Sequence, residues 1–358
     1  MLKQLPFRTV PVAPVRPIES GRYACVARPG RLPMLFGLVP AFLFLLGTTP
    51  ARAGSTPVTT CGQVLSAAGD YELTTDLGPC SGDGVVIAGS GVHLTLAGHT
   101  ISGMNPPDVC NFQTTKASQI GVRTQGAFTD VRVNGGTVTG FVDGVYLAGI
   151  PTSLIDFTVT AMAITDNCAF GIAAGYAHNS LIATSVVARN GIDGIALVGA
   201  KVAGICFPCI QSISVEYNDA SGNARFGILN EGNSMTIRDN IVNHNAALPT
   251  GAGIGIYGNN NAIDSNSTNN NKGPSGFGIL LEQGAQGNVV TGNTANGNVV
   301  GIDAELDASS NTLSGNIAHG NSGEDLDDAN RGCGSNTWKS NSFDTALVAG
   351  GPNPGCIR

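Results

Sequence analysis

An all-β chain, wound as a right-handed parallel β-helix with disulfide-stapled caps, is predicted by two interleaved repeat periods and by the shortness of the apolar runs between them. A Gly followed by Val or Ile recurs at Gly121, Gly144, Gly171, Gly194, Gly227, Gly255, Gly278 and Gly301, at gaps of 23, 27, 23, 33, 28, 23 and 23 residues. In a second phase Asn240, Asn266, Asn293, Asn316 and Asn341 recur. The first four are each followed five residues later by Asn245, Asn271, Asn298 and Asn321. Periods of this length belong to units that cannot bury their own apolar side and must stack. The apolar runs within a unit span three to five alternating residues, which suits short strands and not helices.

The late units are nearly copies. GILLEQGAQGNVVTGNTANGN from Gly278 returns after 23 residues as GIDAELDASSNTLSGNIAHGN. Ile237, Ile263, Val290 and Leu313 fall between the Asn sites and are expected to share one core. The Asn side chain can donate and accept along a stack, and it tolerates the left-handed backbone of a tight corner. A strict six-residue period or Gly-Gly-x-Gly-x-Asp runs would signal other solenoids; the sequence contains neither.

Residues 1–53 read as a signal peptide with a long basic leader. Phe36, Leu38 and Phe42 to Leu46 form a short apolar stretch behind Arg28 and Arg31, and Ala51-Arg52-Ala53 supplies a small-x-small cleavage site. No later run approaches the roughly 18 apolar residues of a membrane span. Residues 54–83 are expected to cap the stack, 84–330 to form the repeats and 331–358 to close it. Loops should leave the coil near 105–119, 201–211 and 246–252, and Trp338 should fill the closing cap.

The chain has 18 Lys or Arg against 25 Asp or Glu; removal of residues 1–53, with seven basic and one acidic, leaves 11 against 24, or −13. Such a balance argues against nucleic acid or an anionic lipid surface as a partner held by bulk charge. Cys25 falls in the leader, and eight cysteines remain, an even number that favours disulfides in an exported chain. Cys61 with Cys80 brackets the first segment and Cys333 with Cys356 the last. Cys110 with Cys168 would join loops of neighbouring turns. Cys206 and Cys209, in ICFPCI, read as a loop disulfide before a metal or redox pair, although sequence fixes none of these pairings.

CGQVLSAAGDYELTTDL, LTLAGHTISG, the Gly-Ile or Gly-Val turn starts and CGSNTWKSNSF resemble exported bacterial right-handed parallel β-helix proteins of the pectin-lyase-like superfamily. NosD-type copper-related proteins and carbohydrate-acting domains belong to the same group. The resemblance spans about residues 60–356. It implies the fold, and it admits lyases, hydrolases, epimerases and surface proteins alike.

Lyases of this group hold calcium on acidic side chains beside Arg or Lys, and the nearest counterparts are Glu282, Asp303, Glu305 and Asp307. Glu282 and Glu305, 23 residues apart, should occupy one place on adjacent turns, roughly 5 Å apart. Lys272 and His319 are the basic residues nearest to them. Asp143 and Asp193, each before a turn-start Gly, read as corner residues, and adjacent Asp327 and Asp328 lie toward the terminal cap. Asn-Thr-Asp with Gly-His-Gly, and Asp-Pro-His, the patterns of related hydrolases and epimerases, do not occur. His99 with Met104 is the nearest approach to a copper pair. No cofactor is expected, with calcium the ion that Glu282, Asp303, Glu305 and Asp307 would hold. The function supported is that of an exported β-helix that is structural or contacts an extended glycan or cell-envelope polymer. The alternative is a polysaccharide-modifying enzyme, a calcium-assisted lyase ahead of a hydrolase or epimerase.

Overall fold

The structure, a computed structural model, describes residues 54–105, 119–149, 155–199, 201–202, 205–206, 210–349 and 351–358. The leader, Cys110 and most of the first predicted loop lie outside these residues. Short strands stack into three faces. The first face is a 12-stranded sheet running from Thr56–Val58 to Thr337–Lys339. The second is a 13-stranded sheet running from Gln63–Leu65 to Ala346–Val348 and closing on an antiparallel strand, Gly351–Pro352. The third face starts as five strands, from Leu77–Cys80 to Val186–Ala188. It continues as single parallel bridges through Asp219, Ile241, Ser267, Thr294 and Ile317. Strands within residues 54–83 already pair in these faces: Thr56–Val58 with Gly69–Leu73, and Gln63–Leu65 with Val85–Ile87.

Alternation along each strand sends every second side chain inward. Val215, Ile237, Ile263, Val290, Leu313 and Trp338 stand in register on the first sheet, all in the main core. Ile228, Ile254, Ile279, Ile302 and Leu326 do the same on the second. The register moves one predicted turn start. Gly253, not Gly255, is level with Gly227 and Gly278, so the gaps are 26 and 25 residues where the Gly-Ile pattern suggests 28 and 23. GAGIGI offers two equivalent Gly-Ile pairs, and strand pairing selects the first.

The turn-start glycines are required by close approach. A methyl group on Gly278 would stand 2.5 Å from the Gly301 carbonyl and 2.7 Å from Asn298 Nδ2, closer than any unstrained contact. Asn amides form continuous ladders, and those of the second ladder crowd the glycines from Gly144 to Gly301. In the first, Asn218, Asn240, Asn266, Asn293, Asn316 and Asn341 each accept at Oδ1 from the residue one turn earlier. From Asn240 onward that residue is another Asn, donating both its backbone N–H and its Nδ2. A second ladder links Asn167, Asn190, Asn223, Asn245, Asn271, Asn298 and Asn321. A third, Asn261, Asn288, Asn311 and Asn336, is one the sequence reading missed.

The expected left-handed corner is displaced by one residue. The positive φ belongs to the residue before the ladder Asn, as at Asp239 (54°), Ser265 (54°), Gly292 (64°) and Gly315 (65°). Asn therefore serves as donor and acceptor only, and the Gly-Asn pairs of the late turns put glycine where the backbone calls for it.

Both ends carry the predicted staples. Cys61–Cys80 and Cys333–Cys356 are disulfides, with Cα separations of 5.6 and 6.1 Å. Cys168 is also disulfide-bonded. Cys209 and the Cys206 side chain lie outside the described residues, like Cys110. Trp338 is buried in the closing cap. Among the described residues no helix is long and apolar enough to cross a membrane.

Candidate functional site

The outer face of the second sheet carries side chains that the core does not use. Phe226, Leu229, Ala252 and Leu280 form an apolar cluster separate from the main core, with Tyr257 and Phe277 packed against it. The Phe226 ring lies across Gly255, where an added methyl would meet it at 2.6 Å. One outward column reads Leu229, Gly255, Leu280, Asp303, Asp327 and Leu347, each in register with the next. A second follows the inward residues Asn230, Ile256, Leu281 and Ala304 and reads Glu231, Tyr257, Glu282 and Glu305. The face thus passes from apolar and aromatic to acidic along the axis.

The predicted acidic residues are partly brought together. Glu282 and Glu305 occupy the same place on adjacent turns, as the register of Leu281 with Ala304 requires. The Tyr257 hydroxyl is hydrogen-bonded to Glu282, and burial, followed by that contact, pushes the phenol pKa up. Glu305 Oε2 accepts from the Gln283 backbone N–H at 3.1 Å. Asp307 instead stands in the following turn, at φ 66°, and accepts from Gln283 Nε2 at 3.3 Å.

Asp303, 7% exposed, lies between Leu280 and Asp327. Burial first, then the carboxylates of Asp327, Glu305, Asp328 and Glu282, raise its pKa to about 8. Burial raises Asp327 as well, and its Oδ1 is enclosed with no hydrogen-bond partner.

Sequence reading named Lys272 and His319 as the nearest basic residues and missed Arg225. This guanidinium belongs to the same outer face: it lies 5.1 Å from the Phe226 ring centroid and acts electrostatically on Tyr257. It is already held, donating from Nε at 2.9 Å and Nη2 at 2.6 Å to the two oxygens of fully buried Asp193. Asp193 Oδ1 also accepts the Phe226 backbone N–H at 3.0 Å, and Asp143 Oδ1 accepts that of Phe170 at 3.2 Å. These corner residues thus tie one turn to the next. Arg225 and Asp193 are 32 residues apart across the one long repeat, a separation that the 23-residue spacing does not suggest.

The other candidates are dispersed. His99 is paired with Asp76 at 3.2 Å, and Met104 is exposed. Among the described residues the one group of three whose potential metal-ligand atoms lie within 4.8 Å of one another is His319, Asp325 and Asp344. There Asp325 is taken by donors, from Asn321 Nδ2 at 2.7 Å and from the Asp344 and Thr345 backbone at 2.9 and 3.0 Å. The carboxylates of Glu282, Asp303, Glu305 and Asp307 do not converge in this way.

Stacked parallel turns, inward apolar columns and amide ladders define a right-handed parallel β-helix protein. The profile of the right-handed β-helix region matches residues 79–274 and 203–352, and the chain belongs to that family. Among solved structures the chain is similar to the Dettilon tailspike protein gp208, with 19% identity and a TM-score of 0.54, over 81% of this chain and 60% of the tailspike. It therefore spans about three-fifths of that protein's length. It is also similar to a mutant of the periplasmic alginate epimerase AlgG, with 13% identity and a TM-score of 0.50, over 82% of this chain and 76% of the epimerase. At these identities the likeness is one of fold. No curated protein sequence matches the chain.

Proposed function

We propose that this protein is exported and binds an extended glycan of the cell envelope or its surroundings lengthwise along the outer face of the second sheet, without transforming it. The observation that carries this reading is the juxtaposition of the part-exposed rings of Tyr257 and Phe277 with outward carboxylates in columns that repeat at about 4.8 Å per turn. Aromatic faces take sugar rings, and hydrogen-bonding groups at a fixed repeat take their hydroxyls. The disulfides and the signal-like leader support export.

A lyase or epimerase acting on uronates remains the second reading, because Tyr257, Glu282 and Arg225 share one face. Two observations weigh against it. Proton abstraction by a tyrosine calls for a lowered phenol pKa, whereas that of Tyr257 is raised. The cation that would meet a uronate carboxylate is bound through Nε and Nη2 by Asp193. A panel of neutral, amino and acidic glycans, with and without calcium, read by binding, by unsaturated-product absorbance and by reducing-end release, tests the proposal. Binding without turnover is expected. Turnover lost in Glu282→Gln or Glu305→Gln would replace it with the enzyme.

A further inference from the structure

We infer that the acidic end of this outer face seats the primary ammonium groups of an amino-sugar polymer, one of them between Asp303 and Asp327. The inference rests on the glycan-binding reading and specifies the class of glycan. Its starting point is an imbalance. Asp303 is more than nine-tenths buried, and no hydrogen-bond donor among the described residues reaches its carboxyl. The neighbouring carboxylate one turn on, Asp327, encloses an oxygen that is equally without a partner. Buried carboxyl groups are ordinarily matched by donors from the protein. Here the protein supplies none to Asp303 and only the Asp328 backbone N–H to Asp327, and Arg225 is engaged by Asp193.

The sign of the missing partner follows from the surroundings. Glu282 and Glu305 stand near Asp303, so four carboxyl groups gather at this end of the face. A polyuronate would place like charge against them, a repulsive arrangement that disfavours binding. A cation is favoured, and its size is limited by geometry. Calcium takes six to eight oxygens, and these carboxylates are not drawn to one point, as three ligand atoms elsewhere in the chain are.

An ammonium group offers three donors on a compact charge and needs two carboxylates with solvent to be satisfied. On the N-terminal side of the pair lie the part-exposed rings of Phe277 and Tyr257, backed by buried Leu280. A bare ion has no use for such a surface, but a sugar ring carrying the ammonium can lie on it.

Calorimetric titration of the disulfide-bonded chain with hexamers of glucosamine, N-acetylglucosamine, glucose and a hexuronic acid, and with calcium chloride alone, tests the inference. The glucosamine hexamer is expected to bind at least tenfold more tightly than the N-acetylated one, by a margin that shrinks with added salt. Asp303→Asn and, separately, Asp327→Asn should remove that margin while leaving the N-acetylated hexamer bound. Glu305→Gln is a further test at a more exposed position, should either strand variant fail to fold. Equal affinity for the two hexamers, tighter binding of the uronate, or an unchanged margin in the folded variants would overturn the inference and leave the glycan reading standing. Calcium binding that disappears in Asp303→Asn would overturn it in favour of an ion site. No binding of any hexamer would remove both.

Discussion

The indole N–H of Trp338 donates to Asp328 Oδ2 at 2.8 Å inside the closing cap, where Asp328 is fully buried. The same carboxylate accepts from Asn336 Nδ2 at 3.1 Å and, through Oδ1, from the backbone N–H and Nδ2 of Asn330 at 2.9 Å each. One buried carboxyl group thus gathers four donors. Trp338→Phe keeps most of the packed ring but removes one of them, and should lower stability by about 1–3 kcal/mol. Urea unfolding measures this; a midpoint equal to that of the parent chain would show that the bond contributes nothing.

Gly278→Ala forces a methyl against the Gly301 carbonyl and the Asn298 amide. Overpacking of this kind costs about 1–3 kcal/mol. Gly82→Ala, at a place with open space and no positive φ, should fall within about 0.5 kcal/mol of the parent. Thermal unfolding of the two variants side by side gives the comparison.

Asn293 receives the backbone N–H and Nδ2 of Asn266 and passes Nδ2 on to Asn316, at 2.8–3.0 Å throughout. Asn293→Ala leaves these neighbours buried without their partner and should cost about 3 kcal/mol or more. Ser265→Gly acts in the other direction. Ser265 holds φ 54° where the next turn has Gly292, and relief of that backbone should stabilise the chain by about 0.5–1 kcal/mol. Chemical denaturation of both variants reads the two signs.

Asp303 gives the fold a pH dependence. Its folded pKa is raised to about 8, against about 3.9 in an unfolded chain. Between those values the folded state binds more protons than the unfolded one, so this group's contribution is complete below about pH 4. It is lost as pH rises through about 8, by a total on the order of several kcal/mol. Stability measured from pH 5 to 9 should therefore fall more steeply in the parent than in Asp303→Asn. Parallel profiles would mean that Asp303 titrates normally.

The fold was legible in the sequence because its causes repeat. The core columns and two of the three inner amide ladders leave residues at a recurring spacing, and the end staples leave cysteine pairs that bracket the first and last segments. Gly253 was misplaced because GAGIGI satisfies the same local pattern twice, and only the neighbouring strands distinguish the pairs. The left-handed corner was assigned to Asn itself because Asn tolerates that backbone, and the phase became visible at Ser265 and Asp239, where no glycine marks it. Glu282, Asp303 and Glu305 could be aligned by counting along nearly identical late turns. Arg225, Asp193 and Tyr257 could not, since they come from turns of unequal length and meet across the sheet.

The Asn-to-Asn hydrogen bonds of the ladders all run in one direction, from the N-terminal turn to the C-terminal one. The stack therefore has a head and a tail, and its tail is closed by chemistry. The second ladder ends where Asn321 donates to Asp325, and the third where Asn336 donates to Asp328; both aspartates are buried. An ionised carboxylate accepts as an amide oxygen does but has no N–H to hand on. Replacing a terminal amide by a carboxylate is thus a stop signal written in a single functional group, limiting how many turns can add in register. A longer solenoid of this design would have to carry its aspartates further along the chain.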